Sequence, residues 1–579
     1  MFQFHVAPAG DDSWPGSVER PFATLERARS AAREAAGDVV VQLRGGIHTL
    51  TRPFELTSAD SGRDGHRIVY QAYGYGTPAQ EEAVVSGGRL ITGWREQDGA
   101  WTADVGDLDT RQLYVDGRRA DRAAIEGLPG EVSTTETGYV TDSAGPREWR
   151  SPGDVEFVYR GVYPWTEARC GVATVSAVSP GEGPTEITMA QPAFGWAMEL
   201  YAATWEGQTT RGPGLPTSIE NDPSFLTEPG TFVLDRSRPG RHVLRYLPRP
   251  GEDPASTRVV APVLETLLSA VGTRDVSFRG LVFAEATWLR PSRPEGFLHY
   301  HGSGYYEGGG VEVAVVGEGA SVTYPAASAT VPACVRFEDP AGVEIEGCRF
   351  TRLGASGLGV SGGDGLVVRG CDFDTLSAAG VTISGGAGAL IEDNRVRHIG
   401  LEYAGSPGIT ATGTRGCTIA HNEISDVPHC GIVVGPSEGA RILRNLTVNT
   451  MQVLADGGGV YVSGPQGDSW ESQGLVEGNV IKDVKTAYNF GLYTDYGASW
   501  LTVEANVVMR ADNTAVLQVA PPLENVVYRG NFWDADPVGH DGPPSGVTYE
   551  GNVTYKDERE LNAASAAVQD RAGLLRPRP

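Results

Sequence analysis

A repeat between about residue 343 and residue 552 constrains this chain more than any other feature. Short apolar strands are followed by a turn that places cysteine or asparagine at the same step each time: Cys348, Cys371, Asn394, Asn422, Asn445, Asn479, Asn506, Asn531 and Asn552. The steps are mostly 21 to 28 residues long, with one of 34. A unit of this size cannot bury its own apolar side, so neighbouring units must stack. The repeat therefore predicts an all-β chain built as a parallel β-helix.

The rest of the chain is organised around this repeat. Residues 21–36 have a helical pattern with Thr24 as the N-cap, and this helix is expected to cover the open end of the first coil. The period disappears from about residue 95 to 260, where turn residues separate irregular β-strand signals. A second interruption at 290–330 predicts a long loop or a small hairpin. We predict these segments: an N-terminal cap with the first coils (1–94), an inserted antiparallel β domain (95–260), the main β-helix with a cleft (261–556) and a C-terminal tail or cap (557–579).

The formal net charge of −26 and the lack of any basic cluster in the sequence exclude nucleic acid as an expected partner. An anionic polymer would need a local positive cleft. No run of 18 apolar residues predicts a membrane span. The N-terminus lacks a signal-peptide pattern, so we expect a cytoplasmic protein, or a secreted one whose leader has been removed. The sequence indicates no oligomeric state.

The cysteines offer no metal site. The chain has 6 of them, with no CxxC pair and no finger-like histidine spacing. Cys348 and Cys371 occupy the repeat, where a small buried side chain fits, so a structural role is expected. We predict no cofactor and no bound metal. A structural calcium ion would suit the fold, although nothing in the sequence predicts one.

Strands that follow a glycine or alanine form a second ladder, which points to the functional face. They begin at Gly357, Gly380, Gly408, Gly431, Gly459, Gly491 and Ala515. The first and third residues after the glycine are mostly aliphatic and should point inward, whereas the second and fourth point outward. Early coils place glycine, serine and threonine at the outward positions. Later coils place Tyr461 above Tyr493 in one row and Asp495 in the other, so chemistry is expected between residues 430 and 520.

Asp456 and Asp495 are the predicted catalytic pair. Glycosidic hydrolysis needs one carboxyl to protonate the leaving oxygen and a second to attack the anomeric carbon or activate water. Three glycines follow Asp456, which suits a carboxylate held at the floor of a cleft. The alternatives are an ordinary Asp-Gly turn for Asp456 and a solvated strand end for Asp495. The two lie seven register positions apart, so only a curled segment at 457–459 brings them together, and the sequence leaves open the stereochemistry and the role of each.

Further side chains are candidates for binding substrate, because insertions between the coils would form walls around the outward rows. They are Glu402, Tyr403, His429, Tyr461, Trp470, Tyr488, Asn489, Tyr493 and Gln518. Tyr461, Tyr493 and Trp470 offer flat faces to a sugar ring, although the two tyrosines could equally form a ladder without a ligand. Glu402 and His429 could act as acid, base or substrate ligand, and the alignment predicts an exposed His429.

Several strings resemble the right-handed β-helix glycosidases of glycoside hydrolase family 141. They are Leu401-Glu402-Tyr403, Ala420-His421-Asn422-Glu423-Ile424-Ser425-Asp426, Ala455-Asp456-Gly457-Gly458-Gly459-Val460-Tyr461 and Gly491-Leu492-Tyr493-Thr494-Asp495-Tyr496-Gly497, with further matches at Val6-Ala7-Pro8-Ala9-Gly10-Asp11-Asp12, at Leu113-Tyr114-Val115-Asp116-Gly117 and at Arg279-Gly280-Leu281-Val282-Phe283. The resemblance covers nearly the whole chain. It implies α-L-fucosidase or xylanase activity on plant polysaccharides, with catalytic carboxylates at Asp456 and Asp495.

The chain departs from that family at three places. Val462-Ser463 replaces a threonine-leucine pair, Tyr496 replaces an acidic residue, and Leu517-Gln518-Val519-Ala520 replaces a histidine-rich strand. These changes put the substrate in doubt more than the reaction type.

Two other functions fit a β-helix. A polysaccharide lyase would need Ca²⁺ and a lysine or arginine base, but Lys482 and Lys485 lie in the turn after Asn479, away from the outward rows, and the carboxylates are too few for a calcium cage. A non-catalytic carbohydrate-binding protein would bind sugar without turnover. The leading hypothesis is a glycoside hydrolase acting on an oligo- or polysaccharide.

Overall fold

A computed structural model describes residues 1–178, 183–515, 521–535, 537 and 545–576. The chain divides into two compact units. The first consists of Met1–Gly87, Thr266–Ala284 and Pro332–Pro579, and the second of Gly88–Glu265 and Glu285–Val331. The first unit carries the repeat.

The first unit is a parallel β-helix with three faces, because each coil gives one strand to each face. The first face contains Phe54–Leu56, Leu268–Val271, Ala333–Glu338, Ser356–Ser361, Val381–Ser384, Ile409–Thr412, Ile432–Val434, Gly458–Pro465 and the start of Phe490–Glu504. The second contains Phe2–Val6, Val39–Leu43, Ile68–Ala72, Val276–Arg279, Glu344–Glu346, Val367–Arg369, Leu390–Glu392, Thr418–Ala420, Arg441–Leu443, Gly474–Glu477, the end of Phe490–Glu504, Glu524–Arg529 and Val547–Glu550. The third contains Gly46–Thr49, Ala83–Ser86, Val282–Ala286, Arg349–Leu353, Asp372–Leu376, Arg395–Arg397, Glu423–Ser425, Leu446–Thr450, Val480–Val484, Val507–Met509, Phe532–Trp533 and Val553–Thr554.

The asparagine repeat forms a continuous hydrogen-bonded ladder inside the corner between the second and third faces. From Asn422 onward, each asparagine Oδ1 accepts from the side-chain amide of the asparagine one coil earlier, as in Asn422 to Asn445 at 2.9 Å, and also from that residue's backbone N–H at 2.9 Å. Asn394 Oδ1 accepts from the Cys371 N–H at 2.9 Å. The amide group also donates to a strand carbonyl, Ile391 in the case of Asn422. Buried polar groups are stable when they are paired in this way. The repeat predicted from sequence therefore sets the register of the coils.

Helices cover parts of the first unit. Leu25–Glu34 begins at the predicted cap, Thr24, whose hydroxyl accepts from the Arg27 N–H at 3.1 Å, and it buries Leu25 and Ala28. Glu558–Gln569 packs Leu561 against Val480, Val507 and Met509, within the segment predicted as a tail or cap. A short 3₁₀ turn lies at Ser58–Asp60. None of the described helices is long and apolar enough to cross a membrane.

The second unit contains antiparallel sheets. One consists of Gly88–Ile91, Val259–Pro262, Leu113–Val115, Arg118–Arg122, Thr231–Asp235, His242–Tyr246, Ala100–Gly106 and Arg95–Gln97, and it includes one parallel pairing. Another consists of Ala124–Glu126, Ser218–Glu220, Glu156–Arg160, Glu167–Ala177, Thr185–Met189, Gly138–Thr141 and Val132–Thr134, joined by Phe297–Leu298. A third consists of Gln208–Arg211, Ala202–Trp205, Ala320–Pro325 and Val311–Gly317, and Gly304–Tyr305 pairs with Ala329–Thr330.

The second unit also holds the helix Ala193–Leu200 and 3₁₀ turns at Gly145–Glu148, Pro152–Asp154, Pro223–Phe225 and Arg290–Ser292. Its bounds differ from the predicted 95–260, because residues 285–331 belong to it as well. The segment predicted as a long loop or small hairpin pairs its strand Ala320–Pro325 with Ala202–Trp205, a pairing between distant parts of the chain that no local pattern reveals.

Candidate active site

The register of the first face matches the rows predicted from the second ladder. Val460 pairs with Leu492, Tyr461 with Tyr493 and Ser463 with Asp495. Coils in register stack about 4.8 Å apart, so the two tyrosines are direct neighbours. Asp456 precedes the strand that begins at Gly458, so the turn before that strand positions it. Asp495, in contrast, lies within its strand, Phe490–Glu504.

Asp456 is held by a strained turn and by the next coil. Its φ of 54° lies in the left-handed region, and its N–H donates to the carbonyl of Tyr488 at 2.7 Å. At Gly457, an added Cβ would lie 2.7 Å from Cys430 Sγ and 2.8 Å from His429 Nε2, so no larger residue fits without a shift. The glycines after Asp456 thus serve close packing, as the curled segment predicted for residues 457–459 requires.

The two carboxylates are linked by crossed hydrogen bonds between adjacent coils. The Tyr493 hydroxyl donates to Asp456 Oδ1 at 3.0 Å, and the Tyr461 hydroxyl donates to Asp495 Oδ2 at 2.7 Å. The two tyrosine rings meet edge to face with centroids 5.2 Å apart. Each aspartate is therefore oriented by the tyrosine of the other coil, and the seven-position offset in sequence does not separate the pair in space.

Burial raises the pKa of both carboxyl groups, and the charge of Asp495 adds to the rise at Asp456. For Asp456, desolvation is the main cause, the charge of Asp495 adds to it, and the Tyr493 hydroxyl opposes it, which leaves a pKa of about 7. For Asp495, desolvation raises the pKa, while the Tyr461 hydroxyl and the backbone N–H of Tyr496 oppose the rise. In the part of the chain that the structure describes, neither group has an ion-pair partner to offset these effects. Such shifts are typical of groups that transfer protons.

Tyr461 and Tyr493 do not offer exposed faces, contrary to what their outward register predicts. They are 4% and 6% exposed, and Phe490 stacks on Tyr493 with centroids 4.0 Å apart. Edge-to-face packing also rules out a simple stacked ladder. Their hydroxyl groups bind the carboxylates, so these residues orient Asp456 and Asp495. Binding of substrate by their rings stays a prediction without structural support.

His429 is buried, and the predicted exposure is wrong. Only 2% of it is exposed, because the turn containing Asp456 covers it and its Nε2 lies 3.2 Å from the Ala455 carbonyl oxygen. Glu402, 5% exposed, accepts from the Tyr403 hydroxyl at 3.1 Å. These side chains lie under the surface of coils that precede Asp456.

Tyr488 is an exposed aromatic side chain beside the carboxylates. It is 47% exposed, and burial of its hydroxyl together with the charges of Asp456 and Asp495 raises its pKa to about 12. Its N–H donates to Asp512 Oδ2 at 2.7 Å. Asn489 holds the same turn, because its Oδ1 accepts from the Asp512 N–H at 2.9 Å and its amide donates to the Val484 and Thr486 carbonyls. Asn489 is therefore a buried turn residue, whereas Tyr488 faces solvent.

For two other predicted substrate-binding residues, Trp470 and Gln518, no contact with Asp456 or Asp495 is described. Trp470 is 43% exposed and meets Trp500 edge to face at 5.4 Å, but no described contact joins it to either aspartate. Gln518 lies outside the described residues. The sequence does not predict the contact of Phe490 with Tyr493 or the hydrogen bond from the Tyr496 N–H to Asp495. Phe490 directly precedes Gly491, and this position before the ladder glycine is the signal that could have identified it.

The surroundings of the pair bear on the alternative functions. Lys482 donates to Gln569 in the C-terminal helix at 2.8 Å, and Lys485 pairs with Asp483 at 3.5 Å, so both point away from Asp456 and Asp495. All six cysteines lie in the described part of the chain, where they are buried and form no disulfide. Among the described residues, no group of three or more histidine, cysteine, aspartate or glutamate side chains could hold a metal ion.

Comparisons with known proteins identify the fold. Residues 333–520 match the family model for the right handed beta helix region. A solved structure named "Glycoside hydrolase" is similar, with a TM-score of 0.74 over 99% of this chain and 99% of that chain at 23% identity. Another, "The complex structure of XylC with xylose", has a TM-score of 0.52 over 92% of this chain and 75% of that chain at 13% identity. No curated protein gives a significant match. The chain is therefore a right-handed parallel β-helix protein with an N-terminal helix and an inserted antiparallel β unit, as the sequence predicted.

Proposed function

We propose that this protein is a glycoside hydrolase that uses Asp456 and Asp495 as its catalytic carboxylates. The observation that carries the proposal is the pair of crossed hydrogen bonds, from Tyr493 to Asp456 and from Tyr461 to Asp495. Two carboxyl groups oriented in one partly buried site, one of them with a pKa of about 7, meet the chemical requirement for cleaving a glycosidic bond. The similar fold of a structure named as a glycoside hydrolase supports this choice.

The different surroundings of the two aspartates support a different role for each. Asp495 accepts from the Tyr461 hydroxyl and from the Tyr496 N–H, and both favour the ionised form. Asp456 accepts from the Tyr493 hydroxyl and is further destabilised as an anion by the charge of Asp495. The proton shared by the pair therefore resides mainly on Asp456. Asp456 is the general acid, and Asp495 is the nucleophile or the base.

The reaction follows from this assignment. Asp456 gives its proton to the oxygen of the leaving group as the bond from that oxygen to the anomeric carbon breaks. Asp495 either forms the new bond to the anomeric carbon or takes a proton from the water that does so. If Asp495 forms the new bond, Asp456 then takes a proton from a water molecule that attacks the anomeric carbon and displaces the Asp495 carboxylate, which restores both groups. If Asp495 takes a proton from water instead, it releases that proton to solvent and Asp456 regains one from solvent. Tyr461 and Tyr493 hold the two carboxylates in position throughout.

The substrate class comes from the resemblance in sequence, which implies fucosides or xylosides of plant polysaccharides. One structure with a similar fold is named as a complex with xylose. Xylosides and α-L-fucosides are therefore the first substrates to test. The half-exposed Tyr488 supplies an aromatic face on which a sugar ring can pack beside the carboxylates.

Aryl glycosides with different leaving groups test the roles directly. A dinitrophenolate leaves without protonation, so Asp456→Asn should lose about 10²- to 10⁴-fold in kcat/KM on a natural disaccharide but much less on the dinitrophenyl glycoside. Asp495→Asn should lose activity on both. Equal losses for Asp456→Asn on both substrates would contradict the assignment.

Asp468→Asn is the matched control, because Asp468 is an exposed aspartate and its hydrogen bonds with described residues are to Ser472 of its own loop. It should retain wild-type rates. The assay also follows formation of unsaturated uronates from acidic polysaccharides. Their appearance without hydrolysis would favour a lyase, and binding without any turnover would favour a carbohydrate-binding protein.

A further inference from the structure

The second unit contains a cleft whose charge opposes that of the whole chain. The protein carries a formal net charge of −26, yet a cleft of about 490 Å³ is lined by Arg95, Arg150, Arg238, Arg241 and Arg245. Asp104 and Asp235 are the carboxylates in its lining, so five positive charges less two negative ones leave a net charge of +3. Three of these arginines, Arg238, Arg241 and Arg245, lie in one short stretch of the sequence, and the fold adds Arg95 and Arg150 from distant positions.

The cleft is built on one side of a sheet. Arg95 pairs with Thr102, and Thr102 pairs with Arg245, so these side chains share the outer surface of three neighbouring strands. The alternate residues Trp101, Leu244 and Tyr246 pack into the core on the opposite side. Arg238 and Arg241 come from the turn that joins Thr231–Asp235 to His242–Tyr246. Strand pairing, and not chance contact between loops, therefore fixes the floor of the cleft.

Asp235 organises part of the positive charge. It is 4% exposed, accepts from Arg150 Nε at 2.6 Å and lies 3.8 Å from an Arg245 guanidinium nitrogen. The Nε of Arg245 is buried and has no hydrogen-bond partner. Arg95, Arg238 and Arg241 have no carboxylate partner in the described part of the chain. The cleft thus holds guanidinium groups whose charge the protein does not neutralise.

The lining indicates the chemistry of a ligand. Guanidinium groups bind carboxylate and sulfate oxygens in paired hydrogen bonds. Thr92, Gln97, Thr102 and Ser237 add hydroxyl and amide groups suited to sugar hydroxyls. No aromatic side chain lines the cleft, so nucleic-acid bases would have nothing on which to stack. The volume is that of a small-molecule site.

We infer that this cleft binds acidic oligosaccharide segments, with the arginines holding the carboxylates of uronic acids. The choice of a saccharide rests on the proposed function, whereas the charge and shape of the cleft do not. The cleft would direct the enzyme to polysaccharides that carry acidic residues. Because the contacts are between charges, binding weakens as salt concentration rises.

Calorimetric titration of the full chain tests the inference. The Asp456→Asn protein is titrated with trigalacturonate, with neutral xylotriose and with a short single-stranded DNA, so that no turnover is needed and failure of the proposed hydrolase leaves the result readable. We expect trigalacturonate to bind and xylotriose and DNA not to bind at this cleft. A sulfated trisaccharide distinguishes sulfate from carboxylate as the recognised group, and binding tighter than that of trigalacturonate would overturn the assignment to uronates.

Variants locate the site. Arg238→Ala and Arg241→Ala are introduced together into the Asp456→Asn protein. They should weaken its binding of trigalacturonate at least about tenfold. Arg211→Ala is the control, because Arg211 is an exposed arginine of the same unit outside the cleft, and it should leave binding within about twofold. Arg95→Ala, on a different strand, repeats the test if the turn variant folds poorly. The inference is overturned if the Asp456→Asn protein does not bind trigalacturonate, or if the variant with both arginines replaced binds it as tightly as the Asp456→Asn protein does. It is also overturned if DNA binds as tightly as trigalacturonate.

Discussion

Tyr493 donates a hydrogen bond to Asp456, a residue of the preceding coil, although 37 positions separate them in the chain. The reciprocal bond from Tyr461 to Asp495 means that neither carboxylate is oriented by its own coil alone. Stacking of coils is therefore a condition for assembling the pair. The same stacking partly buries both groups, and this desolvation raises their pKa values and allows Asp456 to hold a proton near neutral pH.

The raised pKa of Asp456 predicts a stability cost at alkaline pH. The folded-state pKa of about 7 exceeds the ordinary value of 3.8, so the folded protein binds a proton that the unfolded chain has released. The contribution of Asp456 to the free energy of unfolding therefore falls as pH rises from about 4 to about 7. Asp456→Asn removes this term and should be more stable than wild type at pH 8, by about 2–4 kcal/mol, with little difference at pH 4.

Denaturant unfolding at the two pH values measures this difference, with Asp468→Asn as the control that should follow the wild type at both. An Asp456→Asn protein no more stable than wild type at pH 8 would show that the Asp456 carboxylate is not destabilised by burial.

The asparagine ladder predicts a second effect on stability. Asn445 accepts from the backbone and side chain of Asn422 and donates to Ile419 and Asn479, all within the interior. Asn445→Ala leaves these groups unpaired and should cost about 2–4 kcal/mol. Asn552 ends the described ladder and is partly exposed, so Asn552→Ala should cost less. Melting temperatures of the two variants, each compared with wild type, measure the difference. Equal decreases in melting temperature would mean that the ladder does not stabilise the coils through burial.

Tyr488 and Trp470 predict different effects on substrate binding. Tyr488 is half-exposed, and the charges of both aspartates raise the pKa of its hydroxyl, so it lies near them. Tyr488→Ala should therefore raise KM about three- to tenfold with a smaller change in kcat. Trp470 contacts Trp500 and no described residue of the pair, so Trp470→Ala should change KM less than about twofold. Steady-state kinetics of both variants on one xyloside or fucoside provides the comparison. A larger effect at Trp470 would restore the role that its sequence position suggested.

Much of the fold could be predicted because it repeats. Asn445 is informative in sequence since its neighbours recur at the same step, and the structure places it in the ladder. The rows of outward residues followed from the same register, so Tyr461 and Tyr493 were paired correctly. What the period cannot give is burial: the exposure predicted for His429 failed because the turn around Gly457 folds over it.

Long-range pairing was also beyond the sequence pattern. Residues 285–331 belong to the second unit, where one of their strands pairs with Ala202–Trp205, and Arg95 and Arg150 join the arginines of 238–245 in one cleft although they lie far apart in the chain. No local pattern predicts that these distant segments meet. The position of Asp456 is partly predictable. The glycines that follow it in the sequence indicate a curled segment, but the location of its carboxylate is known from the hydrogen bond that Tyr493 donates to it.

The pH dependence of kcat/KM in Tyr461→Phe and Tyr493→Phe tests the central claim most directly. If Asp495 must be ionised and Asp456 protonated, the acidic limb of the profile reports Asp495 and the alkaline limb, near pH 7, reports Asp456. Loss of a donor to a carboxylate raises its pKa. Tyr461→Phe should therefore move the acidic limb up by about one pH unit, and Tyr493→Phe should move the alkaline limb up by a similar amount. Movement of the opposite limb in each variant, or of neither limb, would contradict the assignment of Asp456 as acid and Asp495 as nucleophile or base.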